Sequence, residues 1–298
     1  IFLQKVDLMP FYITTPIYYV NDAPHIGHAY TTIACDIFAR FNKLIGEETF
    51  FLTGTDEHGQ KVEKAAKNQG KDTQIFVDNM SNNFRKIIPF LGCDIDNFIR
   101  TTEDRHKKAA QFLWNTLKEN NQIYLSNYEG WYSIRDEAFY QENELKKIDG
   151  ILTAPTGAPV EWVKEESYFF KLSEWENKLL KFYEQNQESI LPKTRYNEVL
   201  SFIKGGLKDL SISRTTFKWG IKVPNEEKHV MYVWIDALCN YLTALDYPDT
   251  ESKLFKKFWP AIHIVGKDIL RFHAVYWPAF LMAANIEIPK KNFCTMVG

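Results

Sequence analysis

Apolar positions along this chain fall into two periods. After Ile26, the residues Tyr30, Ile33, Ile37, Phe41 and Leu44 recur at spacings of three and four, the period of an amphipathic helix. Pro24 stands where a helix begins and Gly46 where one ends, so the pattern predicts a helix over Ile26–Leu44. The same period predicts helices over Thr73–Phe90 and Asp104–Asn120, the latter with Ala109, Phe112, Leu113 and Leu117 on one side. Short apolar runs at Phe11–Thr15 and Thr49–Thr53 read as strands. Strand and helix in alternation predict an α/β fold with a parallel sheet and right-handed crossovers.

The pattern changes after residue 118. Ile123–Tyr132 is strand-like and aromatic, and Thr153–Pro159 is rich in turn residues. Tyr168–Leu172 then leads into helices near Trp175–Gln185 and Asn197–Lys204. From 214 the alternation resumes: a strand at His229–Trp234, a helix at Asp236–Leu245, a strand at Ala261–Val265 and a helix at Lys267–Ala284. Pro278 lies inside that last helix and predicts a kink or break near Ala274 or Val275. The reading is a first half over residues 1–118, an inserted module over 119–213 and a second half over 214–298. The sequence up to Gly298 reads like the middle of a domain.

Length and composition set limits on this picture. The chain has 298 residues, 45% hydrophobic and 25% charged, as in an ordinary globular enzyme. No apolar run is long enough to cross a membrane, and Ile1–Pro10 does not read as a signal peptide. A net charge of −2 argues against a globally basic nucleic-acid binder. Cys35, Cys93, Cys239 and Cys294 are widely spaced, so neither a disulfide framework nor a zinc ribbon is predicted, and a reducing cytoplasm is expected.

Ligands of such sheets bind beyond the carboxyl ends of the strands, where strand order reverses. Three strand-to-helix junctions therefore matter, at Thr15–His28, Thr53–Gly59 and Gly266–His273. His25, Gly27 and His28 sit in the first turn of a helix, whose free N–H groups and dipole favour phosphate. As residue types alone, the histidines read equally well as surface groups. Asp56 suits an ammonium group or the cap of the next helix. Trp234, Ala237 and Tyr241 suit an apolar pocket or the core. Lys267 is placed for phosphate and Asp268 for ribose hydroxyls, while Ile269, His273 and Trp277 form one stripe, and the segment reads equally as a helix face buried in the core with a satisfied histidine.

His25-Ile26-Gly27-His28 resembles the first signature of class I aminoacyl-tRNA synthetases. The wider set resembles their methionine-specific branch over nearly the whole chain from Pro10. It comprises Thr15–Pro24, Gly54–Gly59, Tyr232–Ala237 and Gly266–Ile269. The resemblance implies a Rossmann-like catalytic fold split by a connective-peptide insertion. It also implies formation of methionyl-adenylate from L-methionine and ATP, with Mg2+, and transfer to tRNA(Met), without DNA or a membrane. It assigns His25, His28, Lys267 and Arg214 to the phosphates, and Arg214 and Lys267 later to the tRNA end. Gly27, Gly266 and Asp268 are assigned to the nucleoside. Asp56 and the backbone of Ile17 take the methionine ammonium. Tyr19, Trp234, Ala237, Leu238, Tyr241, Ile269 and His273 take its side chain, with Tyr19 or His273 offering a weak hydrogen bond to sulfur.

Several departures qualify the resemblance. Where many relatives carry zinc-binding cysteine pairs, this chain has Ser133 and Asp136, and none near Ala154 or Gly157, so no zinc is expected. Leu238 replaces a proline seen in some members. The second, lysine-rich signature and the anticodon-binding domain are missing from these residues. The chain is therefore expected to bind methionine but to be impaired in activation. Rival readings are a synthetase for another apolar amino acid, a non-catalytic tRNA- or protein-binding paralogue, and a simpler nucleotidyltransferase.

Overall fold

The computed structural model describes residues 10–295 apart from 137 and 149. The first part runs β1 (Phe11–Thr14), β2 (Tyr18–Tyr19), α1 (Ile26–Leu44), β3 (Thr49–Asp56), α2 (Gln60–Asn68), α3 (Thr73–Phe90), β4 (Asn97–Arg100) and α4 (Asp104–Glu119). Next come β5 (Ile123–Ser133), β6 (Ala138–Tyr140), β7 (Lys146–Ile148), β8 (Ile151–Thr153), β9 (Glu161–Phe170), α5 (Glu176–Gln185), β10 (Ile190–Leu191), α6 (Lys193–Lys204) and β11 (Leu210–Ser211). The remainder is β12 (Ser213–Arg214), β13 (Lys222–Val223), β14 (Glu226–Met231), α7 (Val233–Leu238), α8 (Asn240–Thr243), α9 (Lys253–Phe258), β15 (Ile262–Gly266), α10 (Trp277–Ala283) and β16 (Lys291–Thr295).

The expected parallel sheet is present. Its order is β10-β16-β15-β1-β3, with β2 and β4 also paired to β3, and every pairing is parallel. From β1 the chain moves outward to β3 and β4, and after the insertion it returns on the other side through β15 and β16. Strand order thus reverses between β1 and β15, which opens a crevice at their carboxyl ends. The inserted residues build an antiparallel sheet, β11-β9-β5-β6, while β10 carries the chain back to the edge of the main sheet.

Gly54 shows how tightly β3 and β4 are set. A Cβ there would lie 2.1 Å from the Ile99 carbonyl oxygen, so only glycine admits this approach.

Helix α1 has the predicted bounds, and Gly46 after it takes a left-handed backbone with φ of 93°. Its packed face is the unexpected one. Gly27, Thr31, Thr32, Cys35, Asp36 and Ala39 are buried, whereas Tyr30, Ile33, Ile37, Phe41 and Leu44 face water. Small residues let the helix lie close against the sheet, and the large apolar stripe is left outside. Phe112 of α4 is likewise exposed, while Trp114 is buried.

The last predicted helix is interrupted, as Pro278 requires. A short 3-10 turn at Lys267–Ile269 and a π-turn at Phe272–Tyr276 precede α10. Proline has no N–H for the carbonyl four residues back, that of Ala274. The Tyr183 hydroxyl donates to that oxygen instead, at 2.5 Å. The predicted strand at His229–Trp234 stops at Met231, and Trp234 belongs to α7. Helix α2 follows the junction read at Thr53–Gly59, though no bounds were given for it, and strand β4 was not foreseen. No described helix is long and apolar enough to cross a membrane.

Candidate active site

The start of α1 is organised by its two histidines. His25 is the cap residue: its Nδ1 accepts from the Gly27 N–H at 3.1 Å. The His28 Nδ1 accepts in turn from the His25 N–H at 3.0 Å. The rings lie against each other with centroids 3.8 Å apart. With both Nδ1 atoms accepting, each neutral ring carries its proton on Nε2 and keeps that donor for a ligand. Burial, and then the neighbouring His25, lower the pKa of His28 to about 4, so it acts as a neutral donor at physiological pH. Gly27 is buried on the inner side of the helix.

Asp56 ends β3 and Glu57 and His58 follow it, each anchored or aimed differently. Asp56 closes the strand, 7% exposed, at the edge of a cavity. It does not cap α2, whose cap residue is Gly59. The fully buried Glu57 accepts from Arg100 Nε at 2.7 Å and Nη2 at 2.9 Å, from Thr55 Oγ1 at 2.6 Å and from Thr102 Oγ1 at 2.5 Å. His58 donates from Nδ1 to Asp236 at 2.7 Å. Such full satisfaction of a buried carboxylate makes the segment rigid, which fixes where Asp56 stands.

A cavity of about 210 Å³ lies against this strand end. It is lined by Ile17, Tyr19, Asp56, Trp234, Ala237, Leu238, Tyr241, Ile269 and His273, the residues assigned from sequence to the amino acid. Four separate segments bring them together. Trp234 stacks on Phe272 with centroids 3.8 Å apart. The hydrogen bonds here overturn one expectation. His273 donates from Nδ1 to the Ile269 carbonyl and accepts at Nε2 from the Tyr241 hydroxyl at 2.7 Å. Tyr19 gives its hydroxyl proton to the His58 carbonyl at 3.0 Å. Neither therefore presents a donor for a thioether, and sulfur would be held by polarizable aromatic contact, worth roughly 0.3–1.5 kcal/mol. Burial lowers the pKa of His273 to about 4, despite its bond to Ile269.

Sequence reasoning missed Pro16, Lys61, Arg135, Asp136 and Val233 in the lining. Lys61 sits in the first turn of α2, and Arg135 and Asp136 come from the inserted module. Asp136 is a polar hub: its N–H donates to Ser133 Oγ at 3.2 Å, and its carboxylate accepts from Tyr140, Thr156 and Arg135. The position where relatives carry a cysteine thus helps to hold a hydrogen-bonded turn against the cavity.

The nucleotide candidates stand along neighbouring strand ends. Gly266 ends β15, and the exposed Lys267 and Asp268 border a separate trough with Phe202 and Arg271. Arg214 departs from expectation. It is 2% exposed and does not border the cavity. Its guanidinium lies 4.5–5.5 Å from the rings of Tyr232, Phe139 and Tyr132, and Nη1 donates to Ser211 Oγ and the Ser213 carbonyl. The aromatic side chains of β5 and β6 enclose it, so as it stands it joins the inserted sheet to β12 rather than facing a phosphate.

Residues 11–296 match the family described as tRNA synthetases class I (M). Over 281 residues the chain is 64% identical to a methionine--tRNA ligase of Rickettsia felis, covering 94% of this chain and 54% of that protein. It is 57% identical over 289 residues to the one from Rhizobium meliloti, covering 96% and 56%. Mycobacterium tuberculosis methionyl-tRNA synthetase in complex with methionyl-adenylate superposes with a TM-score of 0.95 at 52% identity, over 96% of this chain and 57% of that one. The apo form of that enzyme gives 0.84 at 49% identity, over 98% and 56%. The chain spans about half the length of the curated relatives it matches.

Proposed function

Since this chain belongs to the class I tRNA synthetases (M), we propose that it activates L-methionine with ATP and passes the methionyl group to the 3′ adenosine of tRNA(Met). One observation carries the reading. Nine residues from four distant segments close on a single cavity, with an acid at its edge and aromatic and aliphatic walls. A long, thin, apolar amino acid with a free ammonium group fits that lining.

In this reading Asp56 and the Ile17 backbone hold the ammonium group, and Trp234, Ala237, Leu238, Tyr241, Ile269 and His273 enclose the side chain, with Tyr19 beside it. The methionine carboxylate oxygen attacks the α-phosphorus of ATP. A new O–P bond forms as the bond to pyrophosphate breaks, leaving methionyl-adenylate. No protein nucleophile takes part, so catalysis is positioning and charge stabilisation. The Nε2–H groups of His25 and His28 and the N-terminus of α1 supply donors to the phosphates, and Lys267 supplies positive charge. Gly27, Gly266 and Asp268 meet the nucleoside. Among the described residues no group of three or more His, Cys, Asp or Glu stands ready for a metal ion, so Mg2+ would arrive on the triphosphate as part of the substrate.

The test is calorimetric titration with L-methionine and, in parallel, L-leucine, alongside methionine-dependent exchange of pyrophosphate into ATP by the intact protein. Saturable binding of methionine with leucine silent, together with exchange, is expected. Equal binding of both amino acids, or none, would remove the assignment.

A further inference from the structure

Asp236 lies in α7 between Trp234 and Ala237, both of which wall the cavity, yet it does not border the cavity itself and is fully buried. Its two oxygens have different partners. Oδ2 is 2.7 Å from His58 Nδ1, and Oδ1 is 2.8 Å from His106 Nε2. Burial alone would push this carboxyl up, but His58 and His106 beside it outweigh that and keep it below the usual carboxylate range. An ionised carboxylate only accepts hydrogen bonds, so both rings donate to it.

The segments tied together are those that matter for the amino acid. His58 lies two residues beyond Asp56, and its carbonyl takes the Tyr19 hydroxyl. His106 belongs to α4, and its Nδ1 is 3.2 Å from Thr243 Oγ1, two residues after Tyr241. One carboxylate therefore spans from the strand end that carries the acid to the helix that carries the opposite wall. Neither histidine borders the cavity.

We propose that the buried His58–Asp236–His106 cluster is a positioning device that fixes the separation between Asp56 and the wall formed by Trp234 and Ala237, and so sets the length of amino acid the site accepts. The proposal rests on the reading that Asp56 holds the ammonium group. Loosening the cluster leaves every cavity-lining side chain in place chemically but lets the two ends of the cavity drift, which costs affinity for the amino acid and not for the nucleotide.

The test uses pyrophosphate exchange by the intact protein. Methionine-dependent exchange by the unsubstituted protein, with a raised KM for methionine in Asp56→Asn, supports the underlying reading, and the absence of either would sink that reading rather than the cluster. His58→Ala is expected to raise KM for methionine at least about ten-fold, the scale of a lost charge-assisted hydrogen bond, with KM for ATP nearly unchanged. His58→Asn, whose amide N–H can stand where Nδ1–H stood, is expected to recover most of that loss. His106→Leu and His106→Gln form a second pair with the same expectation, read out if circular dichroism shows His58→Ala unfolded. The proposal is overturned if the non-donor variants leave KM for methionine unchanged, if both KM values rise together, or if the amide variants are as impaired as the apolar ones.

Discussion

Asp56 is a carboxylate at the buried end of a strand, held there because the next two residues, Glu57 and His58, are anchored to Arg100 and Asp236. Removing its charge while keeping its shape isolates its contribution. Asp56→Asn is expected to weaken methionine binding by about 1.5–3 kcal/mol, the scale of a charge-assisted hydrogen bond, as read by calorimetry. Unchanged affinity would take Asp56 out of the site. Its place was legible because Gly54–Gly59 joins a strand to a helix at a sheet's carboxyl edge, where side chains meet ligands. The pocket residues of α7, which follows a strand of a separate antiparallel sheet, were assigned through the resemblance, whereas those of the turn after β15 were legible for the same reason as Asp56. Lys61, Arg135 and Asp136 were not, since nothing in their neighbours' periodicity signals that an inserted turn folds back over the cavity. Arg214 was assigned to the phosphates by resemblance alone, and only the packed sheets show the aromatic rings around it.

At the scale of elements, the turn that presents His273 depends on a repair. Pro278 withholds an N–H from the Ala274 carbonyl, and Tyr183, from α5, supplies a hydroxyl in its place. Tyr183→Phe leaves that buried oxygen without a donor and is expected to cost about 1–3 kcal/mol of stability, measured by urea denaturation. A loss below that range would mean the carbonyl finds another donor. The break itself was readable, because a proline inside a helical pattern has one consequence; its π-turn form and the tyrosine were not, since they depend on a helix about ninety residues away. Long elements such as α1 and α3 had clear bounds. Short ones were harder: α2, with few apolar positions, was read only as the helix after a junction, and β4, four residues long, escaped. Tyr232 and Val233 favour strands, which hid the start of α7.

At the scale of the molecule, buried neutral histidines link stability to pH. His273 takes up a proton only near pH 4 when folded, against about 6.5 when unfolded. His263, packed near it, is likewise lowered below its ordinary value, by burial and by His273 itself. The unfolded chain therefore binds more protons between those limits, and stability falls as pH drops from about 6.5 toward 4. His273 alone contributes about 3 kcal/mol to that loss. Chemical denaturation at pH 7 and pH 5 should show a clearly lower midpoint at pH 5, with a smaller difference in His273→Gln; equal midpoints would contradict it. The apolar stripe on α1 has a consequence of another kind. The sequence foretold the stripe's period and not its outward aspect. Tyr30, Ile33, Ile37 and Phe41 make a continuous greasy seam on water. In colloidal terms the seam makes residues 10–295 a sticky particle. Concentrated solutions should show a negative second virial coefficient and rising light scattering. Changing Ile37 and Phe41 together to lysine should turn that attraction into repulsion while leaving the melting temperature where it was, because neither side chain packs against the sheet.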